Sequence, residues 1–196
     1  MRLKGVIAVD NEPLYDTIVL PSALAPGEYC WFATGIGGNI STAVNATGAK
    51  ARCETNIVNN GRLPEPERFE IVAFTLIPDF LSDTEDWAKV LSRSYLEIRV
   101  GGGTTPMHRT PCRTIMAGAG FLSSSGSTNG VMSSVGWPDP SAIPTFAPDT
   151  TVVIELNENF SVCLIVCSSQ TLDGASAAIP VQCVLQGFHA KGVRKG

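Results

Sequence analysis

The chain has 196 residues, of which 44% are hydrophobic and only 16% are charged, whereas soluble domains carry about 25% charged residues. High hydrophobicity with little charge excludes a disordered chain, and the lack of Ala/Glu/Lys/Leu heptads excludes a coiled coil. The formal net charge of −4 argues against a basic nucleic-acid-binding domain. A chain of this length is expected to form one domain that buries most of its apolar surface.

Most apolar runs are short and bounded by Gly, Pro or Asn, which is typical of β-strands. The run at 69–77 is apolar on both of its alternating faces, so we expect a strand that is covered on both sides. Residues 157–159 separate two strand-like runs and are predicted to form a hairpin loop. The predicted strands are 4–9, 16–20, 28–34, 68–77, 95–100, 112–117, 150–156, 160–167 and 180–188.

One short helix is predicted at residues 82–93. Ser82 and Glu85 have the spacing of a capping box, in which each side chain bonds the other residue's backbone N–H. A narrow apolar face follows, so the helix is expected to lie across one end of a sheet. That face consists of Trp87, Val90 and Leu91.

Two long segments, 35–60 and 118–149, are rich in Gly, Ala, Ser, Asn and Pro and show no clear periodicity. Long loops of this kind are uncommon in a compact domain. Two interpretations stay open: short strands are hidden there, for example around 130–135, or the segments are extended loops that contact another molecule.

Six cysteines are present, and several lie in apolar, strand-like runs such as 162–167 and 181–185. Free cysteine behaves as a small hydrophobic residue and is often buried. We therefore expect buried free thiols, with disulfides as the alternative. No C-x-x-C pair occurs, so a structural zinc site is not predicted.

Candidate chemistry is sparse. The two histidines, His108 and His189, are far apart in the sequence, whereas a cupin-type metal site needs clustered histidines with a carboxylate. The G-x-S-x-G nucleophile motif is absent, and His108 beside Cys112 is expected to be a loop histidine rather than a catalytic partner. We predict no enzyme activity, metal, cofactor or small-molecule substrate.

The stretch ETNIVNNGRLPEPERFEI at 54–71 resembles a segment of single jelly-roll capsid proteins of icosahedral bacteriophages. In those proteins a TN…G-x-L-P-x-P-x-x-F-x-I run leads into a long strand. The helix expected at 82–93 and the strand ending in Arg99-Val100-Gly101 are similar too, so the resemblance covers roughly residues 50–120. It implies an all-β fold, a single jelly-roll β-sandwich of about eight strands in two sheets. The domain would span 1–188 and a short basic tail 189–196.

The resemblance also implies a structural virion protein, a capsid shell subunit that assembles through multivalent contacts with its own copies and other capsid proteins. Alternatives are a minor vertex or cement (decoration) protein, or a lectin-like receptor-binding module. The long loops would form the subunit interfaces. Aromatic side chains commonly anchor such contacts. The candidate anchors are Trp137, Phe146 and Phe121.

The basic tail is the candidate for weak contact with the genome or an internal membrane, through Lys191, Arg194 and Lys195. The apolar run at the start of the chain is too short for a signal peptide. No run reaches the roughly 18 apolar residues of a transmembrane helix. The expected location is the virion capsid, after synthesis in the host cytoplasm.

Overall fold

The computed structural model describes residues 7–39, 49–79, 84–102, 105–115, 121–123, 132–134, 145–147, 150–173 and 178–192. In these ranges the chain is an all-β sandwich of two larger antiparallel sheets, with two short two-stranded ribbons. The first sheet contains β1 (Ile7–Asp10), β2 (Leu14–Leu20), β5 (Arg68–Pro78), β10 (Val152–Ile154) and β13 (Ile179–Gly192). The second contains β4 (Gly27–Trp31), β6 (Ser94–Val100), β7 (His108–Pro111) and β11 (Phe160–Val166). The ribbons pair β3 (Ala23–Leu24) with β12 (Gln170–Thr171), and β8 (Phe121–Ser123) with β9 (Met132–Ser134).

The long last strand organises the first sheet. One edge of β13 pairs with β2 and then with β1, and its other edge pairs with β5, which in turn pairs with β10. The second sheet has the order β4-β11-β6-β7. The core between the sheets is apolar, and the indole N–H of Trp31 in the second sheet donates to the Val181 carbonyl in the first at 2.9 Å.

The predicted helix is confirmed as α1 (Thr84–Ser92), which joins β5 to β6. Its predicted apolar face is buried, and burial of this face holds the helix against the sandwich. The capping residue Ser82 lies outside the described residues. No helix among the described residues is long and apolar enough to cross a membrane. The buried face consists of Trp87, Val90 and Leu91.

Two predictions from the sequence, one of a strand and one of a hairpin, are wrong. The expected strand at 112–117 begins instead with a 3₁₀ turn, Cys112–Thr114, that follows β7, and residues 116 and 117 lie outside the described residues. The Thr114 hydroxyl bonds the Pro111 carbonyl at 2.7 Å, and such local side-chain bonds favour turns. The loop at 157–159 is not a hairpin, because β10 belongs to the first sheet and β11 to the second.

The alternative of hidden short strands is supported in one place, because β9 falls within 130–135 and pairs with β8. The expected tail at 189–196 begins inside β13, where His189 to Gly192 pair with β1.

The six cysteines differ in pairing and in burial. Cys30 and Cys163 are cross-strand partners joined by a disulfide, so the expectation of free thiols is wrong for this pair. Cys112 and Cys183 are buried free thiols, as expected, while Cys53 and Cys167 are exposed.

A bulge in the β5–β13 ladder changes which side chains of β5 face the core. Gln186 pairs with Ala73, but Gly187 pairs with Ile71, so Val72 has no direct partner. Phe69 and Ile71 face the core on one side of the bulge, and Phe74 and Leu76 do so on the other. This reversal explains why both alternating faces of 69–77 are apolar in sequence.

A buried ion pair ties the β4–β5 connection to β2. Lys50 Nζ lies 2.6 Å from Asp16 Oδ1, and both side chains are at most 2% exposed. Asp16 Oδ2 also accepts the backbone N–H of Phe32 at 2.5 Å. Burial raises the pKa of the Asp16 carboxyl, although the bond from Lys50 opposes this effect.

Replacing Gly187 with Ala tests the bulge. A Cβ at Gly187 would lie 1.8 Å from the Glu70 carbonyl oxygen, so the strands have to separate. We expect Gly187→Ala to lower the free energy of unfolding by about 1–3 kcal/mol, measured by urea denaturation. Gln186→Ala, at the exposed neighbouring position, is the control and should change it by less than about 0.5 kcal/mol. Equal effects of the two variants would contradict the bulge.

Replacing Lys50 with Met tests the ion pair. The variant leaves the Asp16 carboxylate buried and unpaired, which should lower the free energy of unfolding by about 3–5 kcal/mol. The double variant Asp16→Asn/Lys50→Met keeps an acceptor for the Phe32 N–H without a buried charge, so it should recover part of the loss. A double variant no more stable than Lys50→Met would show that charge burial is not the cause.

Candidate functional site

Three connections meet at one end of the sandwich, which we call the loop end: 32–67, 101–107 and 155–159. The Gly101 N–H donates to the Asn159 carbonyl, and the Phe160 N–H donates to the Gly61 carbonyl, each at 2.8 Å. The side-chain amide of Asn157 bonds Glu65 at 3.0 Å. The described parts of these connections therefore form one hydrogen-bonded surface, although they are far apart in sequence.

Apolar side chains are exposed on this surface. Val58 is 62% exposed and Met107 is 64% exposed. Ile36 and Leu156 are also exposed, and the Ile36 N–H bonds the Ile57 carbonyl, which places it beside Val58. The helix α1 lies at the opposite end, since it follows the far end of β5.

A polar group beside the loop end, the terminal-strand cluster, consists of Asp10, Glu12, Glu67, His189 and Lys191. Lys191 Nζ lies 3.2 Å from Asp10 Oδ2 and also bonds Glu12. The bond from the Glu12 backbone N–H lowers the pKa of Asp10, and bonding to Glu12 and Asp10 raises the pKa of Lys191. His189 Nε2 lies 2.9 Å from Glu67 Oε2.

The outer face of the second sheet carries a second polar group built on Glu97, whose side chain is only 3% exposed. Arg99 and Arg109 bind its two oxygens at 2.5 and 2.6 Å. Arg99 also forms a bidentate pair with Glu28 at 2.8 and 2.9 Å. Burial alone would raise the pKa of Glu97, but the two guanidinium groups outweigh it and hold the pKa below its usual value.

The disulfide Cys30–Cys163 lies beside this group, because Cys163 is the cross-strand partner of Glu97. Glu28 has a carboxylate oxygen within 4.8 Å of both sulfurs. Because the sulfurs are bonded to each other, they are not thiolate ligands for a metal in this state. The disulfide therefore acts as a structural cross-link between β4 and β11 on the outer face of the second sheet, with Glu28 beside it.

Of the three predicted interface side chains, the structure describes only that of Phe146. Phe146 is 9% exposed, and its ring packs within the chain against His108 at 4.7 Å and Phe74 at 5.8 Å. Trp137 and the side chain of Phe121 lie outside the described part of the structure. The role of these three aromatic residues at an interface stays a prediction.

Of the three predicted tail residues, only Lys191 lies within the described part of the chain. Lys191 lies in β13 and its charge is matched by Asp10 and Glu12. Arg194 and Lys195 fall beyond the described range, so their contact with a genome or membrane stays a prediction. Sequence reasoning missed His189 as a site residue, because pairing between β1 and β13 joins positions about 180 residues apart.

The suggested His108 and Cys112 pair does not have the environment of a nucleophile. Burial raises the pKa of Cys112 to about 11, so its thiol is protonated at neutral pH. The His108 ring packs edge-on against Phe146 and Phe74. Burial also lowers the pKa of His108, so the ring is held in its neutral form.

Comparisons of the chain with protein-family models, with curated proteins and with solved structures find no match.

The pH dependence of stability tests the Glu97 group. Because the folded pKa of Glu97 is lowered, its stabilisation is present above the unfolded pKa of about 4.3 and is lost as pH falls through the folded pKa. We expect Glu97→Gln to be less stable than the native chain at pH 7, and this difference to shrink in acid. Chemical denaturation between neutral and acidic pH measures it.

The matched control is Glu155→Gln, since the Glu155–Arg68 pair is about half exposed and 3.3 Å long. Exposed pairs contribute little to stability. A Glu97→Gln difference that stays constant across the acidic range would contradict the lowered pKa.

Proposed function

We propose that the chain is a single jelly-roll capsid shell subunit of an icosahedral bacteriophage. The observation that carries this proposal is the nesting of strand pairs. Without β1, the two larger sheets contain eight strands. In chain order, the first of these eight pairs with the eighth, the second with the seventh, the third with the sixth and the fourth with the fifth. Such nesting is what rolling one long antiparallel ribbon into two sheets produces. The pairs are β2–β13, β4–β11, β5–β10 and β6–β7.

The loop end is the proposed assembly surface, and its occupant is a second copy of the chain. Exposed Val58 and Met107 lie on a backbone surface that is hydrogen-bonded across three connections. Such a surface changes little on binding, and a preorganised apolar surface limits the entropy lost on association. The segment 35–60, expected from the sequence to form an interface, contributes Val58 and Ile36.

Weak contacts suffice in a shell because each subunit makes several of them at once. The low charge of the chain favours this role, since charged residues are depleted at interface cores. Genome or membrane contact is assigned to Arg194 and Lys195 in this proposal, because the charge of Lys191 is already matched within the chain.

Expression of the chain tests the assembly proposal, with particle size followed by light scattering and electron microscopy. We expect closed particles from the native chain and loss of particles from Val58→Asp and Met107→Asp, because each buries an unpaired charge at the interface. Ala88→Asp, on the exposed face of α1 at the opposite end, is the control and should still assemble.

Circular dichroism should show that the Asp variants keep the native fold, because both side chains are exposed in the isolated chain. A native chain that is strictly monomeric and absent from purified virions would overturn the proposal. Full assembly of both Asp variants would move the interface away from the loop end.

A further inference from the structure

His189 has one ring nitrogen with a partner and one without. Nε2 lies 2.9 Å from Glu67 Oε2, whereas Nδ1 is buried and makes no hydrogen bond. The side chain is only 6% exposed. A buried polar atom without a partner is costly, so Nδ1 is a candidate ligand atom.

Two carboxylates lie next to this imidazole. Asp10 is the cross-strand partner of His189, and Glu12 follows two residues later. Ligand atoms of Asp10, Glu12 and His189 all lie within 4.8 Å of one another. One nitrogen and two oxygens at this spacing can converge on one metal ion.

We propose that Asp10, Glu12 and His189 bind a divalent transition-metal ion of the Zn²⁺ class, with His189 as an Nδ1 ligand. Glu67 accepts the Nε2–H bond, which leaves the lone pair on Nδ1. Metal-binding histidines almost always donate their other N–H to a carboxylate or carbonyl in this way, and that bond fixes the ring and makes it more basic. Three protein ligands and one water complete a four-coordinate zinc site.

The charge and space around the cluster suit such an ion. The carboxylates of Asp10, Glu12 and Glu67 supply three negative charges against the single positive charge of Lys191, so these four groups sum to a net charge of −2. A cleft of about 140 Å³ lined by Glu12, Glu67, His189 and Lys191 adjoins the ligands. Lys191 now bonds both ligand carboxylates, so the metal competes with its ammonium group.

The site is independent of the assembly proposal, because all of its ligands belong to one chain. Its effect within the chain is nonetheless direct. The ion would join the end of β1 to the last residues of β13. These residues lie beyond the part of β13 that pairs with β2. Metal binding should therefore stabilise the ends of the described chain.

Calorimetric titration of the metal-free 196-residue chain with Zn²⁺ tests the proposal. Exposed thiols also bind zinc, so the titration is made in a Cys53→Ser/Cys167→Ser background. We expect one Zn²⁺ per chain and a Zn²⁺-dependent shift of the His189 Nδ1 resonance in ¹⁵N NMR. Asp10→Asn/Glu12→Gln should abolish binding, and these positions are exposed enough for the fold to survive.

Two further variants and one control distinguish a built site from chance binding. Glu67→Gln should weaken binding by about 10–100-fold through the loss of its effect on His189. Lys191→Met should tighten binding because it removes the competing ammonium group. Glu155→Gln removes a carboxylate elsewhere and should leave the affinity unchanged.

Absence of saturable binding in both the background chain and its Lys191→Met form would overturn the proposal. Binding that persists in Asp10→Asn/Glu12→Gln, or that leaves the His189 ring nitrogens unshifted, would also overturn it. Either result is independent of whether the native chain forms particles.

Discussion

The buried pair of Asp16 and Lys50 is the interaction on which the arrangement of the loop end depends. Asp16 lies between the buried Leu14 and Ile18 on the inward face of β2, and its carboxylate bonds the Lys50 ammonium and the Phe32 N–H. Phe32 has a φ of 66°, a left-handed conformation that is costly for a bulky side chain. The hydrogen bond from the Phe32 N–H to the Asp16 carboxylate stabilises this conformation directly after the end of β4.

The same pair brings the 49–56 segment alongside β2. Asn56 then makes two hydrogen bonds to Tyr15 of β2. Its side-chain Oδ1 accepts the Tyr15 N–H at 2.9 Å, and its backbone N–H donates to the Tyr15 carbonyl at 3.2 Å. The chain beyond this point reaches Gly61, whose carbonyl accepts the N–H of Phe160, the first residue of β11. A charged pair inside the sandwich thus positions backbone that ends on the outer surface, where Val58 is exposed.

Elements defined by local periodicity could be predicted from the sequence. The alternation in β6 and the apolar face of α1 through Trp87 depend only on neighbouring residues. The all-β class followed from the same local patterns. The core-facing reversal in β5 could not be predicted, because it depends on Gly187 in a strand more than a hundred positions away. The crossing between sheets at 157–159 could not be predicted for a related reason: the length of the loop suits a hairpin, and only the partners of the flanking strands show that they belong to different sheets.

The candidate sites were harder to predict because they are made by pairing across the whole chain. His189 acquires Asp10 as a neighbour through β1, and Cys30 acquires Cys163 through β11. Neither juxtaposition leaves a spacing motif in the sequence. The basic character of Lys191 was visible, but its carboxylate partners were not.

The disulfide has a consequence for the boundary of the second sheet. β4 is an edge strand of that sheet, and an unprotected edge offers free N–H and carbonyl groups to strands of other chains. Peeling β4 away from β11 would expose a second such edge. The covalent link between Cys30 and Cys163 prevents this separation in an oxidising medium, whereas in a reducing one only the hydrogen-bonded ladder and side-chain packing oppose it. The oxidation state of two residues therefore sets how well the molecule is protected against edge-to-edge aggregation.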